Sequence, residues 1–174
     1  YIFIGCGAGI VSESVAMLKA DVTAIDPSDA LITVAKDHLK THDGLKVDYI
    51  CDTIENYCID NKEKYDVVGF FDVAEHVSDL RSILKASVET LKPGGSIFIT
   101  TWNRTFMGWF YGIFILQNIL GIVPKGAHKI SMFVKPSEIE EILADYGCKT
   151  IELKGTWYSI FKRDWFFTKY TGVF

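Results

Sequence analysis

YIFIGCGAGIVSESVAMLKADVTAID, residues 1–26, decides the fold. A short apolar run from Tyr1 to Ile4 stops at a glycine, as a buried parallel strand does. Gly5, Gly7 and Gly9 follow at alternate positions, and a helical pattern then puts Ile10, Val11, Ser14, Val15 and Leu18 on one stripe. A second apolar run ends in an acid, Asp26. Strand, glycine loop, helix and strand make the opening unit of a doubly wound sheet. Such a unit presents backbone N–H groups and a carboxylate together at the carboxyl edge of its strands.

The alternation continues outward. SDALITVAKDHLKTH (28–42) reads as a helix capped by Ser28 or Asp29, LKVDYI (45–50) as a third strand and YDVVGFFD (65–72) as a fourth. SDLRSILKASVETL (78–91) is an amphipathic helix closed by KPGG (92–95), and SIFITT (96–101) is a fifth strand. After a long apolar interval, KPSEIEEILADYG (135–147) is a helix with Pro136 near its start and Gly147 at its end. CKTIELKGTWYS (148–159) and DWFFTKY (164–170) read as late strands. The fold class is therefore α/β, a doubly wound, mostly parallel, Rossmann-like sheet. The expectation is one domain over 1–174, truncated at the N-terminus and at the C-terminus, with an apolar and basic insertion at 104–134.

Charge and cysteine content narrow the function. The net charge is −4, and a general nucleic-acid binder usually carries a basic excess; no nucleic-acid partner is expected. The interval between Glu89 and Glu138 holds no acid and five bases, Lys92, Arg104, Lys125, Lys129 and Lys135, so this +5 stretch leaves −9 for the rest of the −4 chain. Cys6, Cys51, Cys58 and Cys148 form no close-spaced pair and read as free thiols in a reducing compartment. The chain opens on Tyr1 without a signal peptide, so any targeting segment is expected to lie outside it.

The glycine spacing chooses between cofactors. A dinucleotide loop needs a third glycine three residues after the second, where this chain has Ile10, and no Gly-Lys-Ser/Thr phosphate loop is present. The remaining G-x-G-x-G resembles the loop of S-adenosylmethionine (SAM)-dependent methyltransferases. CDTIEN (51–56) after the third strand and LKPGG (91–95) before the fifth come in the matching order. The alternative is a loop that only turns tightly and an Asp26 that only caps the next helix.

FFDVAEHV (70–77) sets Asp72, Glu75 and His76 just past the fourth strand. Two carboxylates and an imidazole suit a divalent cation with open positions for substrate oxygens. Without a metal, His76 is a candidate general base oriented by Glu75. A third alternative is that the acids cap the helix near Ser78 while His76 packs.

From GCGAG (5–9), VTAID (22–26), AEHV (74–77), LKPGGSIFITTWNR (91–104), VPKGAH (123–128) and KPSEIEEIL (135–143), the chain resembles the O-methyltransferases of ubiquinone biosynthesis over nearly its whole length. VPKGAH is the most family-specific of these. The resemblance implies a class I fold and SAM as cofactor, with Gly5, Gly7, Gly9 and Asp26 as contacts and Phe71 beside the adenosine. It implies Asp72, Glu75 and His76 as ligands of a divalent cation, Mg²⁺ being the expected ion, with His76 and Glu75 catalytic. A polyprenylated catechol is the implied substrate, and other ubiquinone-biosynthesis proteins are expected partners. Phe3 departs from the acid usual in that loop, Asp72 from the usual Glu, and Ala127 from the usual Thr.

The resemblance also bears on TFMGWFYGIFILQNILGIVP (105–124), which has no charged side chain. Its length meets the criterion for a membrane span. A span would put the five strands and the later elements on opposite sides of a bilayer, and Gln117, Asn118 and three glycines weaken it further. An interfacial helix fits better, with Trp109, Phe110, Ile113, Phe114, Leu116 and Leu120 at an anionic membrane surface beside Arg104, Lys125 and Lys129. An internal lid or dimer contact is the competing reading. His128 and Lys125 are candidates for the substrate entrance. The expected location is peripheral, on the matrix side of the mitochondrial inner membrane in a eukaryote or the cytoplasmic face of the inner membrane in a bacterium. The alternatives are a non-catalytic lipid-binding subunit and a soluble small-molecule methyltransferase.

Overall fold

A computed structural model describes residues 1–119, 129–159 and 164–172. The chain divides into two compact units, one of residues 1–73 and 78–99, the other of residues 74–77 and 100–174.

The first unit is built on a five-stranded sheet of order β3-β2-β1-β4-β5. Its elements are β1 (Ile2–Ile4), α1 (Ile10–Ala16), β2 (Thr23–Asp26), α2 (Asp29–Leu39), β3 (Asp48–Cys51), α3 (Ile54–Tyr57), β4 (Tyr65–Phe71), α4 (Leu80–Thr90) and β5 (Leu91–Thr100). β1 pairs in parallel with β2 and β4, and β2 with β3. The strand order reverses beside β1, so the loop after β1 opens at the switch point where such sheets bind ligands. Ile2, Phe3 and Ile4 are all buried, as a central strand covered on both faces requires.

The expected helices are present, and the starts of α2 and α4 are capped by side chains. Leu31 N–H donates to Ser28 Oγ at 3.4 Å, and Ser82 N–H donates to Asp79 Oδ1 at 3.0 Å. Details differ from the sequence reading, beginning with the short α3, which that reading did not contain. β5 begins at Leu91 and takes in the KPGG residues, with Gly94 at φ 80°. The stripe expected to bury α1 is also largely turned out: Ile10, Val11 and Leu18 are exposed and only Val15 packs against the core, while Ser12, Glu13 and Ala16 are buried. Periodicity locates a helix but not its inward face, and here a buried carboxylate with partners inside the unit sets that face.

In the second unit, α5 (Phe106–Gly108) continues as a π-helix over Trp109–Ile119. α6 (Pro136–Ala144) starts at its proline, and Gly147, at φ 77°, ends the turn after it. β6 (Gly155–Ser159) and β7 (Asp164–Thr168) pair antiparallel as a two-stranded sheet separate from the five-stranded one. The core is aromatic. Trp102 stacks on Phe133 with ring centroids 5.7 Å apart, and Tyr111 stacks on Trp157 at 5.2 Å.

Candidate functional site

The loop after β1 is shaped by its backbone. Gly9, at φ 85°, begins α1, and a Cβ there would lie 2.0 Å from the Tyr49 hydroxyl. Gly5, at φ 64°, would drive a Cβ to 2.6 Å from Val73. Both positions therefore need glycine for conformation and for space. Cys6 N–H donates to the Ile25 carbonyl at 3.0 Å, tying the loop to the end of β2. Gly7 N–H donates to Asp26 Oδ2 at 2.9 Å, and Ser28 N–H donates to Asp26 Oδ1 at 2.9 Å. Asp26 is buried. The loop and the acid expected to act with it are thus joined directly, and each carboxylate oxygen keeps a further lone pair.

Phe71 ends β4 half-buried, its ring stacked on Phe3 with centroids 5.9 Å apart. Phe3 lies in the core, and a Cβ on Gly69 would meet its ring at 2.5 Å. The departure at Phe3 thus replaces an acid with a ring that packs under Phe71. Two residues at this edge were not singled out from the sequence. Asp52, just past β3, accepts from Thr53 N–H at 2.8 Å and from the Asn56 amide at 3.3 Å. An acid after a strand tip, repeating the pattern of Asp26, was the available signal. Tyr49 donates to the Gly9 carbonyl at 3.3 Å, a contact between distant residues that spacing could not reveal.

Of the acid and histidine cluster, Asp72 belongs to the first unit and Glu75 and His76 to the second. Asp72 is exposed, at a left-handed φ of 54°. Glu75 and His76 lie in a 3₁₀ turn, Ala74–His76, with Glu75 buried and His76 exposed. The Thr101 hydroxyl donates to Glu75 Oε2 at 2.9 Å. Thr101 was missed because nothing local in the sequence links residues so far apart.

In the aromatic helix, Phe106, Phe110 and Phe114 form a ladder with centroids 6.2 and 5.5 Å apart. Its rings are exposed by 71%, 36% and 41%, whereas Tyr111 and Gln117 are buried. Trp109 and Ile113, expected on the outer face, are half-buried. Arg104, expected at a membrane surface, forms an ion pair with Glu138 instead. Leu120, Lys125 and His128 lie outside the described residues, and so does the side chain of Leu116. Among the described residues no helix is long and apolar enough to cross a membrane.

A family model for a methyltransferase domain matches residues 3–153. The chain is 38% identical, over 93% of its length and 67% of the relative's, to a ubiquinone biosynthesis O-methyltransferase of Rickettsia canadensis. It is 36% identical to the mitochondrial ubiquinone biosynthesis O-methyltransferase of Rattus norvegicus, over 98% of this chain and 50% of that one. Among solved structures, the magnesium protoporphyrin IX methyltransferase of Synechocystis with bound S-adenosylhomocysteine (SAH) matches with a TM-score of 0.65 at 20% identity, over 95% of this chain and 68% of that one. The chain spans between 46% and 67% of the length of the curated relatives it matches.

Proposed function

Since the chain belongs to the ubiquinone-biosynthesis O-methyltransferase family of SAM-dependent methyltransferases, we propose that it methylates a hydroxyl of a catechol-type polyprenylated ring at a membrane surface, with SAM as donor. The observation that carries this reading is the joined edge of loop and acid, where Gly7 N–H rests on the Asp26 carboxylate. The lone pairs left on Asp26 are assigned to the ribose hydroxyls, and the loop glycines let the nucleoside and its tail approach the backbone. Phe71, backed by Phe3, offers the adenosine a ring face.

In the reaction a ring oxygen attacks the sulfonium methyl in line, the C–S bond breaks and SAH leaves. Where no metal is held, His76 takes the proton of the attacking hydroxyl as general base. Glu75, fixed by the Thr101 hydroxyl, orients the reacting edge. A carboxylate and an imidazole are donors open to a hard-to-borderline divalent cation, and Glu75 and His76 of the 3₁₀ turn would contribute to holding it. When bound, that ion lowers the pKa of the ring hydroxyl.

The ladder of Phe106, Phe110 and Phe114 supports the membrane part of the proposal. Three exposed rings on one helix, in an interval without acids, suit the boundary of an anionic bilayer, where a polyprenyl tail would remain dissolved. The surface would be the matrix face of the mitochondrial inner membrane in a eukaryote or the cytoplasmic face of the inner membrane in a bacterium.

The test is methyl transfer from SAM to a short-tailed catechol by the full-length protein. Turnover should fall at least about 100-fold for His76→Ala, and Glu75→Ala and chelation should both lower it. Unchanged turnover after His76→Ala removes the base, and indifference to Glu75→Ala and to chelator removes the metal. Replacing Phe106, Phe110 and Phe114 together by Ser should abolish co-sedimentation with anionic vesicles while sparing a tail-less catechol. Equal loss of both activities would favour an internal lid.

A further inference from the structure

The reversed face of α1 poses a separate physical question. A helix with Ile10, Val11 and Leu18 available has instead turned Glu13 inward, where the residue is 2% exposed. Burying a carboxylate costs several kcal/mol unless its oxygens are satisfied. The Tyr49 hydroxyl donates to Oε1 at 3.2 Å. On the other oxygen two imidazoles converge: His38 Nδ1 lies 2.8 Å from Oε2 and His42 Nδ1 lies 3.6 Å from it. The rings are 5.0 Å apart, and the candidate donor atoms of the three residues all lie within 4.8 Å of one another. Everything in this cluster belongs to the first unit, apart from the residues used in the proposed reaction.

Each imidazole has a hydrogen-bond partner, His38 Nδ1 at Glu13 Oε2 and His42 Nδ1 at Thr41 Oγ1 3.2 Å away, yet both Nδ1 atoms also converge on the one carboxylate oxygen. Were both protonated, two cations would crowd a single carboxylate oxygen. A divalent cation removes the conflict, since each neutral imidazole gives one lone pair and the carboxylate supplies the charge. We infer that Glu13, His38 and His42 form a binding site for a Zn²⁺-class transition metal.

The chemistry favours that class. Two nitrogens and one carboxylate oxygen are borderline donors that suit Zn²⁺, whereas Mg²⁺ prefers oxygen alone. In a tetrahedral site with bonds of about 2.0–2.2 Å the donor atoms lie roughly 3.3–3.6 Å apart, so side-chain shifts of about an ångström complete the site. Histidines four apart, at the end of α2 and just past it, present both rings to one side as a turn of helix does. The side chains of His38 and His42 are 53% and 34% exposed, which leaves an outer position open to water.

The site would bear on the glycine loop. Glu13 N–H donates to the Gly9 carbonyl at 2.9 Å, and the Tyr49 hydroxyl shares its single proton between Oε1 and that same carbonyl. Tyr49 thus supports the carboxylate from behind, as outer partners of metal ligands commonly do, and an ion on Glu13 would brace the turn that begins at Gly9.

The probes are Zn²⁺ by calorimetry and Co²⁺ by absorption, on metal-stripped full-length protein at neutral pH. One equivalent should bind with micromolar affinity, Co²⁺ should give visible d–d bands, and the melting temperature should rise with Zn²⁺. His38→Ala and His42→Ala, both at the surface, should each weaken binding by about 100-fold with the circular dichroism unchanged. His76→Ala should leave it intact, which separates this site from the proposed catalytic cation. Glu13→Gln tests the carboxylate, and the histidine variants carry the test if it fails to fold. Binding no tighter than millimolar, or binding indifferent to His38 and His42, or lost only when cysteines are replaced, overturns the inference.

Discussion

Along the edge of the five-stranded sheet, position is set by backbone conformation and buried polar groups: glycines with positive φ, Asp26 bridging two N–H groups, Glu13 held by Tyr49 and His38. The second unit is held mainly by stacked rings, with Trp102 on Phe133 and Tyr111 on Trp157 inside and the Phe106, Phe110 and Phe114 ladder outside. The first arrangement is directional, so small covalent changes should be felt sharply and locally. The second depends on area and shape, so burial alone should decide which ring matters.

The largest effect is expected where burial is complete. Phe133 is 0% exposed against Trp102, and Phe133→Ala should cost about 3–5 kcal/mol in urea unfolding. Phe106→Ser, at a ring 71% exposed, should stay within about 0.5 kcal/mol. Similar costs for the two would break the distinction between inner and outer rings.

Next come the glycines, which separate space from conformation. Gly7 and Gly9 both have positive φ, but a Cβ on Gly7 meets nothing within 4 Å while one on Gly9 strikes Tyr49. Gly7→Ala should cost about 1–2 kcal/mol from conformation alone, and Gly9→Ala about 2–5 kcal/mol once overpacking is added. Thermal melts of the two variants would test this, and equal shifts would show that crowding at Tyr49 is relieved cheaply.

A smaller loss is expected at the acid. Asp26→Asn keeps one acceptor but turns an amide N–H₂ toward a backbone N–H, at about 1–3 kcal/mol for the group left unsatisfied. Chemical denaturation measures that cost, and calorimetry with SAH should show weaker binding in the same variant.

The difference between the regions also governs what the sequence could reveal. GCGAG and Asp26 were legible because glycine spacing and an acid at a strand tip are local signatures of backbone geometry, and the five strands followed from their apolar runs. The inward face of α1 was not legible, because Tyr49 and His38, which draw Glu13 in, are distant in sequence. Thr101 beneath Glu75 and Glu138 beside Arg104 escaped for the same reason. The 105–124 interval was recognisable as apolar, but pattern alone could not say that Tyr111 and Gln117 turn inward while Phe106 and Phe114 face out.

The mildest test uses a thiol as a reporter of the directional region. Cys6 sits in the glycine loop, and burial, followed by the nearby charge of Asp26, pushes its thiol from 9.0 up to about 12. At neutral pH it is therefore a thiol and a poor nucleophile, whereas Cys51 lies exposed. Iodoacetamide followed by peptide mass mapping should label Cys51 well before Cys6, with the Cys6 rate still climbing above pH 10. The same shift has a stability sign. Because the folded-state pKa is raised, the contribution is full below 9.0 and is lost as pH rises toward about 12, where the unfolded chain ionises and the folded one resists. Asp26→Asn should lower the Cys6 pKa only in part, since burial is the larger cause. Full recovery of ordinary thiol reactivity in that variant would mean that the carboxylate, rather than the packing around the loop, controls this edge.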